Sequence, residues 1–336
     1  MSVTIKELSA HCGLSVSTVS KALNGYPDIS EETREQVRQA AEQLGYRPNA
    51  QARSLKLGRT FNLGVLYSDD TESGFTHSYF SPVLQAFKTE AERRGYDITF
   101  ITHHMGDTRM TYLEHCRYRN VDGVCIVCSH FSSAEVVELV ASSLPVVTID
   151  HVFNNRMAIL SDNVVGTKAL VQQAWACGHR RIAFIHGEKT AVTENRLAGF
   201  YQACEELGLK GPEEYVRCGV YHDVDRCAEE TRALLALPQR PTCIIFPDDF
   251  SALGGYNALT EAGLSIPEDI SVMGYDGIYL SRVVKPSLVT YQQNTKSLGR
   301  LAADKLIELI EHPRVTLPEQ IRVSGKLLDG GSVRIL

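Results

Sequence analysis

The sequence predicts a small all-helical head followed by a larger α/β body, doubly wound and divided into two lobes. Three observations lead there. The first sixty residues carry three short helical stripes with clear start and stop signals. From Phe61 onward, short apolar runs alternate with helical stripes, the pattern of β-then-α units around a covered parallel sheet. The 336-residue length leaves about 275 residues beyond the head, too many for one such sheet.

The head is readable from its caps. Thr4-Ile5-Lys6-Glu7 is a capping box, in which the Thr4 hydroxyl accepts from the Glu7 N–H while Glu7 reaches back. The helix it opens turns Ile5 and Leu8 inward and stops at Gly13, which is free to take positive φ. Ser15 caps a second helix, Val16 to Leu23, with Val19 and Leu23 on one face. Asn24-Gly25-Tyr26-Pro27 breaks it. Ser30 caps a third helix whose first turn holds Glu31 and Glu32, where the helix dipole favours anions. Val37, Ala40, Ala41 and Leu44 form its apolar stripe, and Gly45 ends it.

Two helices joined by a short turn at Gly13 fit a helix-turn-helix. The second would present Val16, Ser17, Ser20 and Lys21 from its N-terminal half, where base edges are read. The same pattern also fits a small bundle with solvated Ser and Thr. Charge leans toward the first reading. Residues 1–60 hold eight basic side chains against six carboxylates, a net +2, while the other 26 basic and 34 acidic residues leave −8 on the body.

In the body, candidate strands are Leu63–Tyr67, Ile98–Thr102, Gly123–Val127, Val146–Ile149, Ile182–Ile185, Cys243–Phe246 and Ser271–Met273. Helical stripes lie between them at Val83–Arg94, Val165–Cys177, Arg196–Gly208, Val224–Leu235, Ala252–Gly263 and Leu298–Ile310. Such sheets bind ligands beyond the carboxyl ends of their strands. The residues there are polar: Asp69 and Asp70, Asp150-His151, His186-Gly187-Glu188, Asp248-Asp249 and Asp276, with Arg196 just inside a helix start. Carboxylates with one fixed guanidinium suit a sugar, whose hydroxyls each donate one hydrogen bond and accept another. Strand-end Asp residues also cap helices. Asp249 is read as a cap, Asp276 and Arg196 as site residues.

Other signals narrow the class. No stretch approaches the roughly 18 apolar residues of a membrane span, and the N-terminus lacks the charged and apolar regions of a secretory signal. Nine scattered cysteines do not make a disulfide framework. A cytoplasmic protein is expected. Cys125-Ile126-Val127-Cys128 has redox or zinc spacing but lies in an apolar strand without a second pair, so buried thiols and no metal are expected. His103-His104 reads as a solvated loop pair and Trp175 as core. There is no P-loop, no His-Glu-x-x-His and no Gly-x-Ser-x-Gly, so neither a cofactor nor an enzymatic activity is expected.

The head motifs resemble the DNA-binding domain of the LacI/GalR family of bacterial transcriptional regulators. They are Thr4-Ile5-Lys6-Glu7-Leu8-Ser9, Gly13 through Gly25, Ser30-Glu31-Glu32-Thr33-Arg34 and Leu44-Gly45-Tyr46-Arg47-Pro48-Asn49-Ala50, in order and at family spacing. The resemblance implies that Val16 and Ser17 read bases, and that Ser15, Thr18, Ser20, Lys21, Asn24, Ser30, Thr33 and Tyr46 contact phosphates and grooves. Lys21 departs from a common Arg, which alters the guanine contact. Pro48 through Lys56 is a short run of helix formers, too short to be stable alone. By resemblance it is the hinge helix, in which Asn49 and Ala52 face the groove and Leu55 wedges into a base step.

The likeness continues through the body, in Val147-Thr148-Ile149-Asp150, Gly178 through Ile185, Glu194-Asn195-Arg196-Leu197-Ala198-Gly199-Phe200 and Ile266 through Asp276. It implies a two-lobed, periplasmic-binding-protein-like (type I) core with three crossovers and an effector in the cleft. The expected limits are 1–46 for the head, 47–60 for the hinge and linker, and 61–336 for the core. Its N-lobe is about 61–161 and 292–320, and its C-lobe about 162–291 and 321–332. The matching effector positions are Tyr79, Phe80, Asp150, Arg196, Tyr221, Asp248, Asp276 and Gln293. There are departures: His77-Ser78-Tyr79-Phe80 for a usual Asn-Pro-Phe-Phe, Asp248 for a common Asn, and Gly277 for a common Asp. Three carboxylates facing one guanidinium disfavour anionic ligands, so a neutral or amino sugar is expected.

Nothing resembles the heptad segment that tetramerises some relatives. A homodimer on a pseudo-palindromic double-stranded operator is expected, with the protein on the nucleoid when bound. A sugar-binding protein of the same core fold is one alternative. A glycoside-processing protein using Asp248 and Asp276 as its carboxylate pair is the other.

Overall fold

A computed structural model describes residues 3–47, 58–68 and 73–336, and they fall into two units, Met1–Phe61 and Asn62–Leu336. The first unit holds α1 (Ile5–Cys12), α2 (Val16–Leu23) and α3 (Glu31–Leu44). Its caps form as local chemistry dictates. Thr4 and Glu7 close the capping box, Ser15 and Ser30 accept from the N–H groups of Thr18 and Thr33, and Gly13 and Gly45 take φ near +65°. Leu8, Val19, Ala22, Val37, Ala40 and Ala41 make the core, flanked by Ile5, Leu23, Leu44 and Tyr46.

The second unit begins with β1 (Asn62–Tyr67), α4 (Phe80–Arg93), β2 (Asp97–Ile101) and a hairpin of β3 (His104–Met105) and β4 (Thr108–Arg109). Next come α5 (Tyr112–Tyr118), β5 (Gly123–Cys128), α6 (Ala134–Ala141), β6 (Val146–Ile149) and β7 (Met157–Ser161). The chain continues with α7 (Asn163–Ala176), β8 (Ile182–His186), α8 (Ala191–Glu206), β9 (Val216–Cys218), α9 (Val224–Leu235) and β10 (Cys243–Ile245). Then follow α10 (Ala252–Glu261), β11 (Ser271–Asp276), α11 (Leu280–Val283), β12 (Val289–Gln292), α12 (Thr295–Glu311), β13 (Gln320–Val323) and β14 (Lys326–Leu328).

Two six-stranded sheets result. The first has the order β13-β7-β6-β5-β1-β2 and the second β14-β12-β11-β10-β8-β9. All pairs are parallel except β12 with β14. Strands such as Val146–Ile149 and Met157–Ser161 are buried along their whole length, as a sheet covered on both faces requires. Among the described residues, no helix is long and apolar enough to cross a membrane.

The chain passes between the lobes after β7, after β12 and after β13. The last passage corrects the expected limit. Gln320–Val323 pairs with Ala158–Ser161 and so belongs to the N-lobe, and the chain returns to the C-lobe only after Val323. Helix α8 also starts at Ala191 with Thr190 as its N-cap, so Arg196 sits more than a turn inside it rather than at its start. His103 does lie at a bend, but it is half-buried rather than freely solvated: its ring packs 3.9 Å from Tyr112, and Nδ1 lies 2.9 Å from a Glu135 carboxylate oxygen. Trp175 is only partly buried, and the Arg180 guanidinium covers its ring at 4.4 Å. Cys125 is buried, and burial pushes its thiol far above the usual range, as an inert structural thiol requires.

Candidate ligand cleft and nucleic-acid interface

Between the two lobes lies a cavity of about 330 Å³. Its floor is a connected row of polar groups, Asp150, Asp276 and Gln293 at strand ends and Tyr79 and Arg196 from helices. The Tyr79 hydroxyl is 3.3 Å from both Asp150 Oδ2 and Gln293 Oε1. Gln293 Nε2 donates to Asp276 Oδ1 at 2.7 Å, and Arg196 Nη2 stands 3.8 Å from that same oxygen. Asp150 also accepts the Ser161 N–H at 2.5 Å.

Arg196 is fixed from several sides. Nε donates to Asn163 Oδ1 at 2.8 Å, Nη1 donates to the Pro247 carbonyl at 2.6 Å, and the guanidinium lies 3.6 Å over the Tyr275 ring. Burial works against its charge, but Tyr221, Tyr275 and Asp276 outweigh it and raise its pKa. Burial also pushes the Asp276 carboxyl up to about 6 despite Arg196. It raises Asp150 too, against the pull of the Ser161 N–H and Arg196. Two carboxylates, Asp276 buried and Asp150 half-buried, therefore face one guanidinium that already spends donors on protein.

Three cavity-lining residues, Asp150, His222 and Asp276, adopt positive φ of 53°, 57° and 99°. Asp and His tolerate this better than most residues, yet such conformations gather where surrounding structure enforces them, often at sites. Tyr221 completes one wall. Its hydroxyl lies 2.9 Å from Thr193 Oγ1, its N–H donates to Glu188 Oε2 at 3.0 Å, and its ring occupies space a Cβ on Gly187 would fill, 2.2 Å from Tyr221 Cε2.

Seven of the eight expected effector positions line this cavity: Tyr79, Phe80, Asp150, Arg196, Tyr221, Asp276 and Gln293. Asp248 does not. Its carboxylate turns into the fold, accepting the N–H and hydroxyl of Ser251 at 2.7 Å each and the His222 N–H at 3.0 Å. The adjacent Asp249 does not cap α10, whose N-cap is Ser251 with no side-chain cap hydrogen bond, and Asp248 receives the Ser251 N–H in the turn just before that helix. Asp249 instead accepts from the Thr290 hydroxyl at 2.5 Å and the Ile278 N–H at 2.8 Å, tying three strand ends together. The carboxylate pair Asp248 and Asp276 is therefore not presented to the cavity. Gly277 has no room for the side chain common in the resemblance, since a Cβ there would lie 2.4 Å from Gln292 Cβ.

Lining residues that motif matching missed include His130, Phe131, Val192 and His222. The strand-end rule, applied to β5 as it was to its neighbours, points to His130 and Phe131. No sequence signal singles out His222.

In the head unit, Val16 is 40% exposed and Ser17 is exposed, at the start of α2. The hydroxyls of Ser15 and Thr18, and of Ser30 and Thr33, pair at 2.8 Å at the N-termini of α2 and α3, where N–H groups are turned outward. Lys21 Nζ is held 2.5 Å from Asp28 Oδ2. Asn24 Nδ2 donates to the Ser20 carbonyl at 2.6 Å. Tyr46 leans on the head core. Asn49, Ala52 and Leu55 lie outside the described residues, as do Asp69 and Asp70.

Residues 4–49 match the family model described as bacterial regulatory proteins, lacI family, and residues 171–333 match one described as a periplasmic binding protein-like domain. The chain is 33% identical over 318 residues to the HTH-type transcriptional repressor PurR of Haemophilus influenzae, covering 92% of this chain and 91% of that protein. The chain belongs to the LacI family. This LacI-family repressor is also 33% identical over 337 residues to the ribose operon repressor of Escherichia coli K12, covering 98% and 99%. A lac repressor dimer bound to operator and the anti-inducer ONPF superposes with a TM-score of 0.78 at 25% identity, covering 99% of this chain and all of that one.

Proposed function

We propose that this LacI-family repressor reads a pseudo-palindromic operator as a homodimer through residues 1–57, and that a neutral or amine-bearing sugar in the cleft sets its operator affinity. The row Tyr79–Asp150–Gln293–Asp276–Arg196 carries the reading. It alternates acceptors with donors along one floor, as adjacent hydroxyls require. Two carboxylates against one engaged guanidinium repel phosphorylated sugars and favour neutral or cationic ones. A cavity of about 330 Å³ sits at the lower end of the roughly 300–1,000 Å³ of small-molecule sites, which suits a single sugar unit. The similarity to the ribose operon repressor supports the same class.

Val16 and Ser17 take the base-reading role. Ser15, Thr18, Ser20, Lys21, Asn24, Ser30, Thr33 and Tyr46 take phosphate and groove contacts, and Asn49, Ala52 and Leu55 act at the minor groove. Effector and operator then bias one lobe equilibrium, and each changes the affinity for the other by the same factor.

The experiment is thermal unfolding of wild type and Asp276→Asn against matched neutral, amino and phosphorylated sugars. A ligand at 100 times its Kd adds about 2.7 kcal/mol, a shift of a few degrees. The expected result is a neutral or amino sugar that stabilises wild type and loses its effect in Asp276→Asn. Stabilisation by a sugar phosphate but not its parent sugar would overturn the proposal.

A further inference from the structure

The geometry points to an imidazole clasp, His77 against His222, that holds the two lobes closed over the cavity. His77 precedes α4 in the N-lobe and His222 follows β9 in the C-lobe, yet their ring centroids lie 3.9 Å apart with planes 39° from parallel. Both rings line the cavity, so the contact forms part of its wall.

Each ring is set by its own lobe. His77 is buried, its Nδ1 accepts the N–H groups of Tyr79 at 3.2 Å and Phe80 at 3.4 Å, and the Phe80 ring packs 4.7 Å away. Nδ1 thus serves the orphan donors at the start of α4, which fixes the ring plane. On the other side, the His222 N–H is held by Asp248, its φ is +57°, and its ring stacks on Phe250 at 5.1 Å and 11°. Rings fixed before they meet lose little freedom on contact, so the stack favours closure rather than merely tolerating it. An aromatic pair of this kind raises the closed population by about two- to tenfold.

The clasp does not depend on which molecule fills the cleft. His77 and His222 act as positioning residues: opening the cleft separates them, and any ligand held between the lobes gains or loses affinity with them.

Amide hydrogen exchange on the full-length protein, without ligand, tests this. His77→Asn keeps an acceptor for the Tyr79 and Phe80 N–H groups but removes the ring. His222→Asn keeps a residue that tolerates positive φ and also removes the ring. In a clasp, His77→Asn speeds exchange at least twofold in the C-lobe loop 219–224, and His222→Asn does the same in the N-lobe segment 74–80. The double variant is no faster at either place than the single ones. His222→Phe, which preserves a stacking ring, exchanges near the wild-type rate. Slow exchange in β5 and β10 checks that every variant is folded. Faster exchange confined to the mutated lobe, or effects that add in the double variant, would overturn the clasp. Should His222→Asn not fold, the cross-lobe response to His77→Asn decides alone.

Discussion

The carboxylate of Asp248 accepts the backbone N–H of His222 at 3.0 Å, so a residue at the end of β10 fixes a loop that follows β9. Every partner of this carboxylate named above is a donor: the His222 N–H, the Ser251 N–H and the Ser251 hydroxyl. An Asn at this position would turn an NH₂ group toward at least one of them. The carboxylate is thus explained by its neighbours and not by a ligand. Asp248→Asn is expected to lower stability by about 1–2 kcal/mol, the cost of leaving a buried donor badly paired. Denaturant unfolding with an unchanged m-value measures it. Equal or greater stability of the variant would remove the assignment.

Asp276 makes a pH-dependent contribution whose sign follows from its burial. Its carboxyl rises from an ordinary 3.8 to about 6 in the folded protein. Between those values the unfolded chain has lost the proton and the folded protein retains it, so stability falls as pH rises from about 4 to 6 and levels off above. The span corresponds to about 3 kcal/mol. Asp150 and Asp249 are also pushed up by burial and add the same sign, so the informative quantity is the difference from Asp276→Asn. Guanidinium unfolding at pH 4, 5, 6 and 7 should show the variant gaining on wild type through this window and the gap then holding constant. A gap that does not change with pH would show that Asp276 titrates normally.

These two carboxylates also mark where sequence stops being informative. The head was legible to the residue because its determinants are local: Thr4 and Glu7, Ser15, Ser30, Gly13 and Gly45 settle their helix ends within one turn. Strand-end positions were legible as a class, since Asp150 and Asp276 follow from the wound topology. That neither of the adjacent Asp248 and Asp249 faces the cavity was not. Asp248 holds Ser251 and His222 while Asp249 holds Ile278 and Thr290, and three of these four partners are far away in sequence. Strand β13 was missed for a related reason. Gln320–Val323 is a mostly uncovered edge strand without an apolar run, and its lobe is decided by pairing with Ala158–Ser161. His222 enters the cavity wall only because the C-lobe folds its loop there.

In the head, Lys21 and Asp28 form an exposed ion pair, which would compete with nucleic acid if Lys21 contacts it as proposed. The Asp28 carboxylate pulls the Lys21 pKa up, and Lys21 in turn holds Asp28 below the usual carboxylate range. An ammonium reaching for a phosphate or a guanine must first leave this carboxylate, while Asp28 itself repels the DNA backbone. Exposed pairs are worth about 0.2–1 kcal/mol, so Asp28→Ala should tighten binding to duplex DNA by up to about fivefold at low salt. The gain should shrink as salt rises, because screening weakens both the pair and the repulsion. Titration of wild type and Asp28→Ala with the same duplex over a salt series measures this, and Lys21→Ala combined with Asp28→Ala separates the two effects. If Lys21 makes the contact, the double variant loses most of the gain. If only repulsion matters, the double variant keeps it, and the assignment of Lys21 to the DNA interface fails.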